Sequence, residues 1–416
     1  MSNIERLTDT RLVDWLDHVI LTQERVNIDE LVGMGYIQWK DADSEDTVYH
    51  NPNSILPPLI LRKGNTTAFA LKTESLDEFK KTNDIPGQIE GQESGRYRIL
   101  NVAANENDVL MAVERRGYNG FLTKEDEDTR EYVKAMESFG RRNRDYSHEE
   151  DGYSELEDMI NDMKATQETN RIADAFFRVD RQFWLEKNKA ARFQKERQDA
   201  FGLGWANHDH HAFRSSRKNF PKLIKILELL GLEPREAFHA GKQAGWGAQV
   251  MENRTCGIVV FADVDMSPEE RGEDFAHRKL QERAELGTIG LWVGLHGESM
   301  LQAGLHHLAI RCGFQGLKNS YEKKRVGVMA PFSDFPFLKQ AFTKGEPWMA
   351  MDDRIIEMYK SKLINQEQFA RFRESAVIGN HVEIIERNAG FAGFNQDSVS
   401  VIIKATDPRK GMIKGA

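Results

Sequence analysis

The chain has only two cysteines among 416 residues, Cys256 and Cys312. That scarcity excludes a disulfide framework and a cysteine-rich metal site, and it fits a reducing compartment. No apolar run approaches the ~20 residues that a membrane helix needs. The polar start, Met1 to Thr10, lacks the apolar stretch of a signal peptide, so a cytoplasmic location is expected. The net charge is −9 with no long basic stripe, which disfavours broad nucleic-acid binding. No Walker loop, Rossmann glycine fingerprint or nucleophile elbow stands where a strand–helix junction would need it. What is present, 40% hydrophobic and 30% charged residues, is enough for two or three soluble domains with full cores.

Three regions follow from the pattern. Residues 1–130 read as an accessory α/β region, with short helices at 12–21 and 28–34. Strands about a Gly64-Asn65 turn are expected within 59–73, a strand at 96–102, and a helix at 106–116 with Asn105 as its N-cap. Residues 131–204 form a charged linker and a long helical segment. Within it Ile172, Phe176, Val179, Phe183 and Trp184 recur at helical spacing. That face is expected to pack on the next domain, or to join two copies in a homo-oligomer through 154–200.

From 205 to 409 the order of elements is informative. A strand at 208–215 and a helix from Phe220-Pro221 to the stop at Gly231 are followed by strands at 233–239, 246–252 and 257–264. This β-α-β-β-β unit is one module, about 205–285. A polar helix at 267–286 and an apolar run at 289–295 lead into a second, longer module, about 286–409. Its first strand lies at 305–312, a helical insertion at 352–374, and its last strands at 382–387 and 398–405.

The two modules open alike. Asn207-His208-Asp209-His210-His211-Ala212-Phe213-Arg214 and His306-His307-Leu308-Ala309-Ile310-Arg311 each place an arginine four residues after a histidine. A third stretch, His381-Val382-Glu383-Ile384-Ile385-Glu386-Arg387, sets a carboxylate in an apolar, β-prone run. Alternation in a strand puts His208, His210, Ala212 and Arg214 on one face. It likewise groups His307, Ala309 and Arg311, and then His381, Glu383, Ile385 and Arg387.

A lone strand histidine is usually a hydrogen-bonded core residue. Five of the 12 histidines at two matching strand starts favour a metal instead. His210 and His307 occupy matching places, with His208, His211, His306 and His381 as rival ligands. Glu383 needs a positive partner or a metal in so apolar a strand. Two imidazoles and one carboxylate leave metal positions open, which suits a non-haem Fe(II) oxygenase or a Lewis-acid Zn, Mn or Ni enzyme. Arg214 and Arg311, one layer away, suit a substrate carboxylate. His239, Lys242 and His296 are weaker candidates for the same pocket.

At these residues the chain resembles the 2-oxoadipate dioxygenase/decarboxylase family of the vicinal oxygen chelate superfamily. The resemblance rests on residues 208–214, on Leu232-Glu233-Pro234-Arg235-Glu236 with Lys242, and on residues 382–387, and it covers about 205–409. It implies an α+β fold of paired βαβββ modules, forming a curved mixed sheet around a metal. It implies His210 and Glu383 as metal ligands and Arg214 as the grip on a substrate carboxylate. His307 as the second histidine ligand rests on the internal repeat. The segment Gly393-Phe394-Asn395 with Ser398 and Ser400 resembles the family's substrate-contacting stretch. The implied chemistry is Fe(II)-dependent decarboxylation of a small 2-oxo acid with O₂. The competing expectations are an isomerase or lyase of the same superfamily, and a non-enzymatic small-molecule-binding module.

Overall fold

The computed structural model describes residues 2–239, 245–270, 274–395, 403 and 405–410. Its first sheet comprises β1 (Leu16–Thr22), β2 (Ile37–Gln38), β3 (Thr47–His50), β4 (Leu59–Arg62), β5 (Thr67–Lys72), β6 (Tyr97–Ala104) and β7 (Asp108–Arg115), in the order β2-β3-β4-β1-β5-β7-β6.

Two local expectations fail here, for related reasons. The expected helix at 12–21 is a single helical turn, Leu12–Trp15, that runs into β1. β1 is central, with Asp17, His18, Val19 and Ile20 all buried, so it carries no polar alternation to mark it as a strand. β4 and β5 flank the Gly64-Asn65 turn as expected, and they do not pair with each other. β1 lies between them, parallel to β4 and antiparallel to β5. The expected helix at 106–116 is β7. Asn105 does accept hydrogen bonds from the backbone N–H groups of Asn107 and Asp108, as an N-cap would. The chain uses that side-chain turn to close the β6–β7 hairpin instead.

Four helices then cover one face of a second sheet: Arg130–Arg141, Glu149–Lys164, Thr169–Glu186 and Lys189–Asp199. The 154–200 pattern is thus broken twice. The second break is capped by Asn188, whose side chain accepts from the Ala191 N–H. Ile172, Phe176, Phe177 and Trp184 of the third helix are fully buried, in one core with Phe213, Val260, Leu308, Ile310, Val382 and Ile384 from the second sheet. No helix among the described residues is long and apolar enough to cross a membrane.

The second sheet contains β8 (His208–Arg214), β9 (Glu233–His239), β10 (Trp246–Asn253), β11 (Ile258–Asp265), β12 (His307–Arg311), β13 (Ser333–Phe335), β14 (Leu338–Phe342) and β17 (His381–Arg387). A separate short pair, β15 (Pro347–Trp348) with β16 (Val377–Ile378), brackets the helices Asp352–Lys360 and Gln366–Glu374. The order β13-β14-β17-β12-β8-β11-β10-β9 has internal symmetry. In each half the first strand lies parallel to the last (β8 to β11, β12 to β17), and the two halves meet along the antiparallel pair β8–β12. Helices Phe220–Leu229 and Phe314–Lys323 follow the first strands. These are paired βαβββ modules of vicinal oxygen chelate type within an α+β chain, and the helical insertion lies between β14 and β17.

The expected polar helix at 267–286 does not form over its described residues. They hold only a 3₁₀ turn, Pro268–Glu270, before the helix Thr288–His296. Arg217 binds the Gln281 and Asp265 carbonyls and the Glu270 carboxylate, so side-chain bonds tie this loop down in place of a helical ladder. The expected strand at 398–405 falls largely outside the described residues.

Candidate metal centre

The site forms where three strands bring their centres together. On β12 and β17, His307 lies opposite His381, and Ala309 opposite Glu383, so His307 and Glu383 share a face. On the other side His307 lies opposite Ala212 and Leu308 opposite His211, but Ile310 lies opposite His208. Two residues of β8, Asp209 and His210, therefore face the single Ala309: the register slips by one, as in a β-bulge.

That slip corrects the expected alternation. His208 does not share the face of His210. It turns with His211 toward the helices, their rings 5.4 Å apart, and its Nδ1–H donates to the Trp205 carbonyl at 3.0 Å. His211 Nε2 accepts from Arg181 at 3.3 Å. Both rivals face away from the metal side.

On the opposite face His210, His307 and Glu383 converge, their nearest ligand atoms all within 4.8 Å of one another. His210 Nε2 is 3.1 Å and His307 Nε2 is 3.2 Å from the same Glu383 oxygen, Oε2. The other oxygen, Oε1, accepts from Gln340 at 2.8 Å. Each imidazole is also held from behind. His210 Nδ1 donates to Asp209 at 2.8 Å, and Asp209 in turn accepts from Arg387 (2.8 and 3.0 Å) and Arg311 (3.0 Å). His307 Nδ1 lies 3.1 Å from His306 Nδ1. The remaining rival, His381, donates through Nδ1 to the Thr343 carbonyl at 2.7 Å. Burial drives the pKa of His306 well below the usual value and that of His381 to about 3, so both stay neutral.

Such support orients both ligating nitrogens toward one point, and it is the arrangement that raises a histidine's value as a metal ligand. The donor set therefore fits a divalent ion: two imidazole lone pairs and one carboxylate, all buried, with aromatic rings about them. Phe261 and Phe394 pack on His210 at 4.9 and 5.4 Å, and Phe342 on His307 at 4.9 Å.

Without a metal the cluster behaves as an ion pair. Burial pulls the His210 pKa down, but Glu383 and Asp209 outweigh it and raise it to about 9. Burial pushes Glu383 up, and the two histidines bring it down to about 2. For His307 burial prevails and lowers the value. The raised His210 contributes stability that is complete below its usual 6.5 and is lost as pH rises through about 9. The lowered Glu383 contributes stability that is complete above its usual 4.5 and is lost as pH falls toward 2. Chelator-treated protein should thus have its highest urea midpoint between pH 4.5 and 6.5, declining toward pH 9. A midpoint unchanged from pH 6.5 to 9 would refute the pairing. Metal affinity should run the other way and rise with pH, because ligation needs His210 without its extra proton.

Arg214 shares the metal face of β8 and is fully buried, yet among the described residues none of its three guanidinium nitrogens has a hydrogen-bond partner. The Trp292 ring lies 5.4 Å from its guanidinium carbon. Burial lowers its pKa to about 10, with Asp263, Asp265 and Asp407 opposing from a distance. Asp263 is its neighbour in register on β11, and burial raises that carboxyl to about 7 against the pull of Arg214 and His210. Asp263, Gln340 and the Asp209 support escaped the sequence reading. Asp263 sits in an apolar run like that around Glu383, and that pattern was the available signal.

The other expected residues lie elsewhere. Arg311 holds Asp209 and lines a separate cavity. His296 Nε2–H donates to the Ile378 carbonyl. Ser398, Ser400, Lys242 and the side chain of His239 lie outside the described residues.

No protein-family model and no curated protein matches this chain. Among solved structures it is similar to a mutant 4-hydroxymandelate synthase from Streptomyces coelicolor, at 11% identity and a TM-score of 0.32, covering 96% of this chain and 100% of that one. It is also similar to methylmalonyl-CoA epimerase from Mycobacterium tuberculosis, at 10% identity and a TM-score of 0.25, covering 43% of this chain and 87% of that one.

Proposed function

We propose that this chain is a non-haem Fe(II)-dependent dioxygenase/decarboxylase that converts a small 2-oxo acid and O₂ into a hydroxy acid one carbon shorter and CO₂. The observation that carries the reading is the pairing of a buried two-histidine, one-carboxylate cluster with a buried guanidinium on the same face that has no partner among the described residues. Bound by His210, His307 and Glu383, Fe(II) would supply redox chemistry and open positions for substrate and O₂. Zn, Mn or Ni would fit the same donors.

The chain's own groups have separable tasks. Arg214 receives the distal carboxylate of a diacid in a bidentate pair, which relieves the cost of its unpaired burial. Asp209 fixes the His210 ring, and His306 backs the His307 ring. Phe261, Phe342 and Phe394 keep water from the reacting end.

The test is anaerobic reconstitution with Fe(II), then oxygen and a panel of 2-oxo acids. One CO₂ should be released per O₂ consumed, with diacids preferred; silence across the panel would sink the reading. Arg214→Met should raise KM for a diacid by about 10- to 100-fold, the worth of a charge-assisted pair, and leave a 2-oxo monoacid nearly unaffected. An equal loss for both would remove Arg214 from the carboxylate site.

Asp263 supports a second reading. A carboxyl poised at about 7 beside the cluster suits proton abstraction in an isomerase or lyase. Turnover that persists without O₂ and fails in Asp263→Asn would favour it.

A further inference from the structure

A second cavity, of about 920 Å³, lies between the first sheet, the helix Thr169–Glu186 and the edge of the second sheet. Its walls carry eight lysine or arginine side chains against five carboxylates. Most of these charges are already matched. Arg115 binds Asp17 through two nitrogens at 2.8 Å, and Arg178 binds Asp174 at 2.8 Å. Arg311 and Arg387 share Asp209. Arg235 and Arg254 share Glu252 at 4.0 and 3.4 Å, and Glu74 faces Lys195 at 3.4 Å.

Two cations remain. Lys72, at the end of β5, has no hydrogen bond or ion pair among the described residues. Arg181 has no carboxylate within ion-pair reach among them; it donates only to His211, and its Nε has no partner. Burial brings the Lys72 pKa down to about 8, aided by Arg311 and Arg115 and opposed by Asp17. The two cations share a neighbour, His208, whose pKa burial, together with Arg181, Lys72 and Arg311, lowers to about 3. A buried Arg181 and a half-buried Lys72 without counter-ions are costly, and a chamber of this volume is large enough to take one in from solution.

We propose that this chamber is a binding site for a small dianion, a dicarboxylate or phosphate, held between Lys72 and Arg181. Two unmatched positive charges lining one chamber fit two negative charges better than one. The site is distinct from the metal centre and does not rest on the oxygenase reading. Its inner wall is the Asp209–Arg311–Arg387 group that supports His210, so an occupant would sit directly behind that support.

Titration calorimetry on the full chain, with inorganic phosphate and with succinate in chloride buffer of constant ionic strength, tests the assignment. At least one anion should bind, and which one does identifies the source of the ligand. Lys72→Met and Arg181→Gln should each weaken binding at least tenfold, whereas His210→Ala should retain it. If one of the two cavity variants fails to fold, the other is decisive. The proposal is overturned if neither anion binds, if the folded cavity variants bind as wild type does, or if His210→Ala abolishes binding, which would place the anion at the metal centre.

Discussion

Glu383→Gln should leave the protein folded but unable to retain a divalent metal through dialysis, with affinity reduced by more than about 100-fold, beyond the range for loss of a supporting residue. The substitution preserves side-chain shape and replaces the anionic oxygen that stands 3.1 and 3.2 Å from the two imidazoles. An amide oxygen can still accept from Gln340, so local packing survives. The charge that holds a cation between two neutral rings does not. Metal content measured beside folded-state circular dichroism decides it. Metal at wild-type stoichiometry and affinity in Glu383→Gln would remove this carboxylate from the ligand set.

Asp209→Asn should do something different: destabilise the fold by about 3–5 kcal/mol as well as weaken metal binding by about 10- to 100-fold. Asp209 is the shared counter-charge of Arg311 and the buried Arg387, and it is the acceptor for His210 Nδ1. An asparagine leaves one buried guanidinium without compensation and offers His210 only a weaker, neutral acceptor. Urea unfolding of metal-free protein separates the two effects, since the stability loss persists when no metal is present. A variant within about 1 kcal/mol of wild type would show that the arginines find other partners.

The second half, which carries the candidate metal cluster, was far more legible in the sequence than the first half. Turn residues punctuate β8 to β11 at regular spacing, and the repeated histidine–arginine pattern marks the start of each module. β1 and β7 were misread because both are buried on both faces over their central residues. Leu110, Met111, Ala112 and Glu114 in β7 are good helix formers, so neither alternation nor propensity identifies the strand. The candidate trio of His210, His307 and Glu383 was legible through the family resemblance and the internal repeat, but the orientation of His208 was not. A bulge changes which face a residue takes, and nothing in Asn207 to His211 signals one. Gln340 was invisible for another reason: its role depends on a neighbour supplied by a strand distant in sequence.

The division of ligands between the modules has a consequence for how the molecule matures. The first module supplies only His210, and the second supplies His307 and Glu383, so neither half alone owns a complete coordination set. The cage closes only when β8 zips against β12, a seam joining segments made about a hundred residues apart. A complete donor set for an ion therefore exists only once both halves have docked in register.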